Sequence, residues 1–303
     1  MLNCLIWGSG KVFTNELQGI RYLEITNQIQ VCGITTNVDC FSKIAGYTYI
    51  SKDDLRVNQY DVVFIMADGK IFKEIIEEAV DKGFDEDILV HHRVIHIINN
   101  NLEKYMEIKK RHVTIFANSC WGGFVYHALG LEFNSPLINM SVSENDYLKL
   151  LQFPQKYMRN ELVYIGDCNI GSEPFPLARC GDITLRFDHY SSFEEAREKW
   201  EERKQRINWE NIFLMFCVET MEQLTSFSKL RGRYSISFSP FRTEIRNNVQ
   251  INFYHEEMRQ FNSFGSLVAC LPSEQFQYLD LIDLLYDGTI TKLSQESNEE
   301  RNK

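Results

Sequence analysis

The chain has 303 residues, of which 44% are hydrophobic and 13% aromatic, so it can build the cores of two globular domains. Its net charge of −10 disfavours nucleic acid as a partner, because binding to phosphates normally requires a basic field. No apolar run approaches the roughly 20 residues that cross a bilayer, and the first residues lack a basic leader. We therefore expect no transmembrane segment and a cytoplasmic protein.

Strands and helices alternate in the first third of the chain. An apolar run at 2–6 predicts a strand, and a glycine turn leads from it into an amphipathic helix. Two further strands are predicted at 29–35 and 60–66, and a helix at 70–82. This alternation is typical of a parallel sheet with right-handed crossovers. We predict a Rossmann-like domain over residues 1–110.

The first glycine turn resembles the start of a dinucleotide-binding fingerprint, with Gly8, Ser9, Gly10 and Lys11 as candidate cofactor-binding residues. Phe13 takes the place of the third glycine, and no acidic residue clearly ends the second strand. The sequence therefore disfavours NAD. It leaves the cofactor unassigned, with a nucleotide or a nucleotide sugar still open.

The densest signal in the sequence lies at 113–123, where an apolar run stops abruptly in small, polar and reactive residues. The run predicts an interior strand of a sheet that is covered on both faces. Asn118, Ser119, Cys120 and Trp121 follow it, before a turn at two glycines. In open α/β sheets, ligands bind at this carboxyl edge.

The rest of the chain also alternates between predicted helices and strands. Helices are predicted at 124–130, 143–151, 153–162, 191–206, 219–230 and 278–285, and strands at 135–140, 181–187, 211–218, 234–239 and 249–253. The strand at 181–187 ends in Asp188, His189 and Tyr190, so the central pattern of strand, polar residues and helix recurs. We predict a second α/β domain over residues 111–303, with a polar tail at 294–303.

Several motifs in the second domain resemble those of a bacterial family of unknown function, whose members are often labelled exopolysaccharide biosynthesis proteins. The motifs are Asn118-Ser-Cys120-Trp-Gly-Gly123, Tyr126-His127-x-Leu129-Gly-Leu131, Ser135-Pro136 with Asn139, Asp188-His189-Tyr190, Trp200, Arg206-Ile-Asn208-Trp209 and Phe213. The similarity covers most of 112–290, and longer members carry a similar Rossmann-like segment. The resemblance implies a role in the assembly of exopolysaccharide, capsule or lipopolysaccharide.

Cys120 is the candidate nucleophile, because N–H groups at a helix start stabilise a thiolate and lower the thiol pKa. The N–H groups of Trp121, Gly122 and Gly123 could hold an oxyanion or a phosphate. His189, oriented by Asp188, is the preferred group for proton transfer, and His127 is a second candidate. The alternative is that Cys120 is a buried spacer in a tight turn.

Ser119 offers a rival nucleophile, because a small polar residue and a serine after an apolar strand resemble the opening block of SGNH-type esterases and acyltransferases. Asn118 stands where those enzymes usually carry aspartate, and their later Asp-x-x-His block is not visible. The alternative is that Ser119 caps the turn.

Four further groups of residues have a binding interpretation and a structural one. Trp121 and Tyr190 could stack on a sugar or be core residues, and Asn118 and Asn139 could contact substrate. Arg206 with Asn208 could grip a phosphate or a carboxylate, or belong to a solvated face. His91, His92 and His96 form a cluster without cysteine or carboxylate companions at metal spacing, and the cysteines form no close pair. We therefore predict no metal site.

The sequence favours a protein of surface-polysaccharide synthesis, and specifically a transferase that acts on a small, sugar-linked substrate. Two alternatives stay open: a non-catalytic protein that binds a nucleotide sugar or a partner, and an SGNH-like acyl esterase or acyltransferase. Whether the chain is an enzyme and whether it forms a homo-oligomer also stay open.

Overall fold

A computed structural model describes residues 1–37, 42–98, 101–169, 173–230, 232, 234–252, 263–273 and 278–293. The chain divides into two compact units. Unit 1 comprises residues 1–110 and 128–130, and unit 2 comprises residues 111–127 and 131–303. The predicted tail at 294–303 and the last residue of the predicted strand at 249–253 lie outside the described residues.

Unit 1 is an open α/β layer structure. Its elements are β1 (Leu2–Trp7), α1 (Lys11–Ile25), β2 (Ile29–Thr35), β3 (Lys43–Ile44), β4 (Tyr47–Thr48), β5 (Val62–Ile65), α2 (Gly69–Asp81), β6 (Leu89–His91) and α3 (Leu102–Lys110). The main sheet has the order β2-β1-β5-β6, and all of its pairings are parallel. This confirms the predicted N-terminal parallel sheet.

Helix α1 explains why Phe13 replaces the glycine of a dinucleotide fingerprint. Phe13, Glu16, Ile20 and Leu23 are buried along one face of the helix, at the three- and four-residue spacings of an α-helix. The Phe13 ring lies edge-on to the ring of Tyr47, with 6.5 Å between the ring centroids. The aromatic side chain therefore belongs to the packing of unit 1.

Unit 2 contains two sheets of different kinds. Its elements are β7 (Thr114–Ala117), α4 (Trp121–Ala128), β8 (Ser141–Val142), α5 (Glu144–Gln152), α6 (Pro154–Arg159), β9 (Leu162–Cys168), β10 (Phe175–Cys180), β11 (Ile183–Arg186), α7 (Phe193–Lys204), β12 (Ile212–Cys217), α8 (Met221–Phe227), β13 (Tyr234–Ser239), β14 (Asn248–Gln250), α9 (Phe264–Cys270) and α10 (Leu281–Asp287). One sheet is parallel, with the order β14-β13-β12-β7, and the other is antiparallel, with the order β8-β11-β10-β9. The predicted α/β class is confirmed, whereas the antiparallel sheet was not predicted.

Strand β7 is buried on both faces, as predicted, but it is an edge strand of the hydrogen-bonded sheet. All four of its residues are buried, and β12 is its only partner strand in the described order. The hydroxyl of Tyr126 from α4 covers the free edge. It accepts a hydrogen bond from the Ile115 amide at 2.8 Å and donates one to the Val113 carbonyl at 2.9 Å. One side chain thus pairs backbone groups that a neighbouring strand would otherwise satisfy.

The strand predicted at 135–140 does not form. Asn139 has a φ of 57°, in the left-handed region, which interrupts an extended conformation. Regular pairing begins only in β8, and the segment before it is buried but irregular. The apolar run that suggested a strand therefore reflects burial of an ordered loop.

The two hydrogen bonds between the Tyr126 hydroxyl and the edge of β7 predict that this side chain contributes measurably to stability. Tyr126→Phe keeps the ring but leaves a buried amide and a buried carbonyl unpaired, so we expect a loss of about 1–3 kcal/mol in the free energy of unfolding. Urea denaturation measures this loss. Tyr22→Phe, at an exposed position on α1, is the control and should change stability by less than about 0.5 kcal/mol. Equal stabilities of the two variants would contradict the proposed role of Tyr126.

Candidate functional site at the carboxyl edge of the unit 2 sheet

Asn118 extends the parallel sheet beyond the end of β7. Its side-chain amide donates to the Cys217 carbonyl at 3.1 Å, and its side-chain oxygen accepts from the Cys217 amide at 2.9 Å. Its own carbonyl accepts from the Val142 amide at 3.1 Å. Both ends of the side-chain amide are therefore used to hold the chain in place. Because Asn118 is also buried, its predicted role in substrate binding is not supported.

The residues after Asn118 form a tight entry into α4. The buried Ser119 hydroxyl accepts from the Trp121 amide at 3.5 Å, which is the capping contact that was the structural alternative for this serine. Gly122 and Gly123 belong to the first turn of the helix. A Cβ atom on Gly122 would lie 3.3 Å from Ile115, and one on Gly123 would lie 3.3 Å from the Asn139 side-chain oxygen. The glycines therefore allow α4 to pack closely.

The predicted lowering of the Cys120 pKa is wrong. Burial, which has the largest effect, together with the nearby charge of Asp188 and the nearby thiol of Cys270, raises the pKa of the Cys120 thiol to about 12. The side chain is partly exposed. Desolvation and negative charge thus outweigh the favourable amides of the helix start, and Cys120 is a neutral thiol near pH 7.

The end of β11 lies near Cys120, because Asp188 is close enough for its charge to act on the thiol. Asp188 also pairs with Arg186, whose Nε lies 3.5 Å from Oδ1. The next residue, His189, has an exposed side chain, and its amide donates to the Asn139 carbonyl at 3.3 Å. The structure therefore gathers the ends of two strands from different sheets around Cys120.

Two acidic residues at this edge were not identified from the sequence. Glu144 begins α5, and Glu219 follows β12. Burial raises the pKa of Glu144, and the charge of Glu219 raises it further. The same two carboxylates help to raise the pKa of the buried Cys217. The sequence predicted only that Glu144 lies in the helix at 143–151, and its proximity to Glu219 depends on contacts between distant segments.

His127 lies in the last turn of α4. Seven residues along a helix correspond to about 10 Å, so the helix separates His127 from Cys120. The predicted role of His127 as a base for Cys120 is therefore not supported by its position.

Trp121 and Tyr190 are core residues and do not form a stacking surface for sugars. Trp121 is buried and stacks on Phe213 with 6.0 Å between ring centroids and 14° between ring planes. The buried Tyr190 hydroxyl donates to the Ile138 carbonyl at 2.9 Å and accepts from Arg203 at 2.6 Å. Both aromatic rings are therefore used in packing.

Arg206 and Asn208 lie at the opposite end of β7 from Cys120. The Asn208 amide donates to the Thr114 hydroxyl at 2.9 Å, and its side chain donates to the Arg111 carbonyl at 2.8 Å. Arg206 pairs with Glu132 at 2.8 Å. These contacts are at the amino end of the strand, so the two residues cannot join a site at its carboxyl end.

The first glycine turn, predicted as a cofactor-binding loop of unit 1, forms between β1 and α1. Gly8 has a φ of 116°, and its amide donates to the Thr35 carbonyl at 2.8 Å. The Ser9 hydroxyl donates to the Thr36 hydroxyl at 3.1 Å. Gly10 caps α1 without a side chain, and the exposed Lys11 is the first helical residue. The loop thus has the shape that was predicted, and its role in cofactor binding stays a prediction.

The statement that the histidine cluster has no carboxylate companions is wrong. Glu16 lies 3.1 Å from His92 and 2.6 Å from His96, and Asp68 lies 3.2 Å from His92. Burial raises the pKa of Glu16, but hydrogen bonds from the two histidines outweigh it and lower this pKa to about 2. The carboxylates come from segments distant in sequence, so spacing along the chain could not reveal them.

The fold and the site together define a class: an α/β protein of two units, with thiol and carboxylate groups at the carboxyl edge of the second parallel sheet. In the described part of the chain, no helix is long and apolar enough to cross a membrane. The chain belongs to the family described as domain of unknown function (DUF1919), whose model matches residues 91–284. Residues 1–90 match the model described as C2185-like, N-terminal. An uncharacterized protein of Haemophilus influenzae is 31% identical over 153 residues, which cover 50% of this chain and 71% of that protein.

The geometry of the glycine loop predicts that two alanine substitutions differ in how strongly they change the stability of the protein. Gly8→Ala should destabilise the protein by about 1–3 kcal/mol, because of its left-handed φ and a Met66 carbonyl oxygen 3.1 Å from the added Cβ. Gly10→Ala meets no atom within 4 Å and should change stability by less than about 1 kcal/mol. Thermal denaturation of both variants measures the difference. A destabilisation by Gly10→Ala as large as that by Gly8→Ala would contradict the geometry.

The raised pKa of Cys120 predicts slow alkylation. At pH 7.5 Cys120 should react with iodoacetamide about 10- to 100-fold more slowly than the exposed Cys32, because few Cys120 thiols are ionised. Its rate should keep increasing with pH beyond the region near 8.5, where an ordinary thiol levels off. Peptide mass spectrometry follows both sites, and Cys120→Ser confirms the assignment. A Cys120 rate equal to or above that of Cys32 at pH 7.5 would refute the neutral thiol.

Proposed function

We propose that this chain is a transferase of bacterial surface-polysaccharide synthesis, which acts on a sugar-linked substrate at the carboxyl edge of the unit 2 sheet. The single observation that carries the proposal is that the Asp188 carboxylate is close enough to Cys120 for its charge to raise the thiol pKa, with the exposed His189 next to Asp188 in the chain. The link to exopolysaccharide, capsule or lipopolysaccharide comes from the sequence resemblance. The cytoplasmic location stays a prediction.

The charge of the edge favours a substrate rich in hydroxyl groups. Asp188, Glu144 and Glu219 are hydrogen-bond acceptors, and the hydroxyl groups of sugars are donors that can satisfy them. The same carboxylates repel phosphate, so an anionic part of a substrate is better accommodated away from them. This distribution supports the transfer of a group to or from a sugar hydroxyl.

The proposal gives each central residue a chemical role. His189 is exposed and adjacent to Asp188, so its imidazole can take the proton from an attacking hydroxyl or thiol. Asp188 stabilises the imidazolium that results. Cys120 is neutral in the absence of substrate, so it becomes a nucleophile only when its proton moves to a base in the same step. Without that transfer it acts as a weak hydrogen-bond donor to substrate.

A second candidate function is the binding of a nucleotide sugar by unit 1 without chemistry. The observation that favours it is the open start of α1, where Gly10 leaves free space next to the first helical amides. Gly10→Ala is a clean probe, because the added methyl meets no protein atom but lies where a phosphate would approach. Ligand binding that is lost in this variant, without any turnover, would support this function over the transferase.

The transferase proposal is tested first by finding a ligand. Sugar nucleotides and acyl-CoA compounds are screened by thermal shift, since a ligand at 100 times its dissociation constant stabilises the protein by about 2.7 kcal/mol. Ligands that bind are then assayed for group transfer to a panel of sugars. We expect Asp188→Asn and His189→Gln to lower kcat by about 100-fold or more, as loss of general acid–base catalysis does.

Glu210→Gln is the matched control, because this exposed carboxylate lies near the amino end of β12, away from Cys120. It should keep the turnover of the unmodified protein. If both Asp188→Asn and His189→Gln keep full turnover with an identified substrate, the proposed mechanism is wrong.

A further inference from the structure

A second cluster of ionisable side chains lies at the carboxyl edge of the unit 1 sheet. Asp68 follows β5, and His91 is the last residue of β6. His92 begins a short 3₁₀ helix, His92–His96, and Glu16 faces it from α1. In a parallel sheet, the ends of neighbouring strands such as β5 and β6 lie side by side, and this brings the two histidines to Asp68.

The distances within this cluster match those between the ligands of a tetrahedral metal ion. The Nε2 atoms of His91 and His92 lie 3.4 Å and 3.2 Å from the same oxygen, Oδ1 of Asp68. Ligands about 2.0–2.1 Å from a zinc ion, at tetrahedral angles, lie about 3.3 Å apart. Ligand atoms of all three side chains lie within 4.8 Å of one another. Two of the three distances between ligand atoms therefore already match the edge of a coordination tetrahedron.

The surroundings hold the two rings in the orientation that coordination requires. Oε1 of the buried Glu16 lies 3.1 Å from Nδ1 of His92, so Nε2 of this ring faces Asp68. A carboxylate on the far nitrogen of a histidine is the usual second contact of a metal ligand, because it fixes the ring and increases its basicity. The ring of His91 packs on Phe72, with 4.4 Å between ring centroids. Asp68 is 55% exposed, so an ion can enter from solvent.

We propose that Asp68, His91 and His92 form a binding site for one divalent transition-metal ion of the zinc class, with Glu16 as the positioning residue for His92. Two imidazoles and one carboxylate are a ligand set that suits such ions, and solvent or a substrate oxygen completes the coordination. Binding displaces a proton from Nε2 of each ring to solvent or to Nδ1. On His91 this shift costs the hydrogen bond that Nδ1 accepts from the Arg93 amide, which is long at 3.3 Å.

Arg93 opposes the ion and provides an independent check on the site. Its guanidinium lies 3.5 Å from Oδ1 of Asp68, the oxygen that would coordinate. A cation next to a metal ligand repels the ion, so removal of Arg93 should tighten binding. A site that merely attracts ions through negative charge would gain in the same way, but it would not lose affinity when the imidazole of His92 is removed.

Cobalt binding to the full chain tests the proposal. After treatment with a chelator, the protein is titrated with Co²⁺, whose visible absorption bands report the geometry and the ligands. We expect one equivalent to bind with tetrahedral or five-coordinate bands and without the near-ultraviolet band of thiolate ligands. Zn²⁺ should displace it. The absence of the thiolate band separates this site from the free cysteines.

Single substitutions assign the ligands. Asp68→Asn and His92→Ala should weaken binding by about 100-fold or more, and Glu16→Gln by about 10- to 100-fold. Arg93→Gln should strengthen it. His112→Asn, which removes an exposed histidine of unit 2, is the control and should bind as the unmodified chain does. Asp68 is exposed and makes no capping hydrogen bond to α2, so its variant tests the site without a loss of folding.

Two results would overturn the proposal. One is the absence of stoichiometric binding by the unmodified chain. The other is binding that Asp68→Asn and His92→Ala leave unchanged, which would place the ion elsewhere. In either case the cluster would be a network of ion pairs that holds the end of β6 against α1, without a metal ion.

Discussion

The pairing of the Asn118 side chain with the backbone of Cys217 is the constraint on which the candidate site depends. Two hydrogen bonds, at 3.1 Å and 2.9 Å, continue the β7–β12 ladder by one step after regular strand geometry ends. The chain can then leave the sheet at Ser119 and enter α4 directly. Cys120 lies at this exit, so its position is set by hydrogen bonds between segments 99 residues apart in sequence.

The electrostatic character of the site follows from this placement. Cys120 is desolvated by the packing around the strand end, and after burial the largest effect on its pKa comes from the charge of Asp188. Further along the edge, the charge of Glu219 raises the pKa of Glu144, and both carboxylates raise the pKa of Cys217. An edge with these groups favours protonated thiols and hydroxyl-rich ligands over anions. We therefore propose His189 as the proton-transfer group, because Cys120 is not a thiolate before substrate binds.

The local part of the fold could be predicted from the sequence, because it follows from hydrophobic periodicity over short windows. Strands β1, β2, β5, β7, β11, β12 and β13 and helices α1 and α2 were predicted close to their observed positions. The antiparallel sheet was missed, since β9 exposes three consecutive apolar residues, Val163, Tyr164 and Ile165, and does not show a simple alternation of apolar and polar residues. The order of strands, with β7 at the edge, depends on pairing between distant segments and left no local signal.

The sequence located the candidate site but not the roles of its residues. The change from apolar to polar residues marked the end of β7, and the end of β11 showed the same pattern. Whether a polar side chain is free or used in packing is decided by partners far along the chain. Arg206 and Asn208 are held at the amino end of β7, and the carboxylate partner of His92 in α1 lies 76 residues away from it. Such pairings require the three-dimensional structure.

The most direct test of the effect of Asp188 on Cys120 is the pKa of the Cys120 thiol, measured from the S–H stretching band as a function of pH. It is compared between the unmodified chain and Asp188→Asn. We expect a strongly raised pKa of the Cys120 thiol, about 12, in the unmodified chain. Removal of the carboxylate should lower it, while burial keeps it above the value of about 8.5 for a free thiol. An unchanged pKa in Asp188→Asn, or a value below 8.5 in the unmodified chain, would contradict the meeting of these two groups at the edge of the sheet.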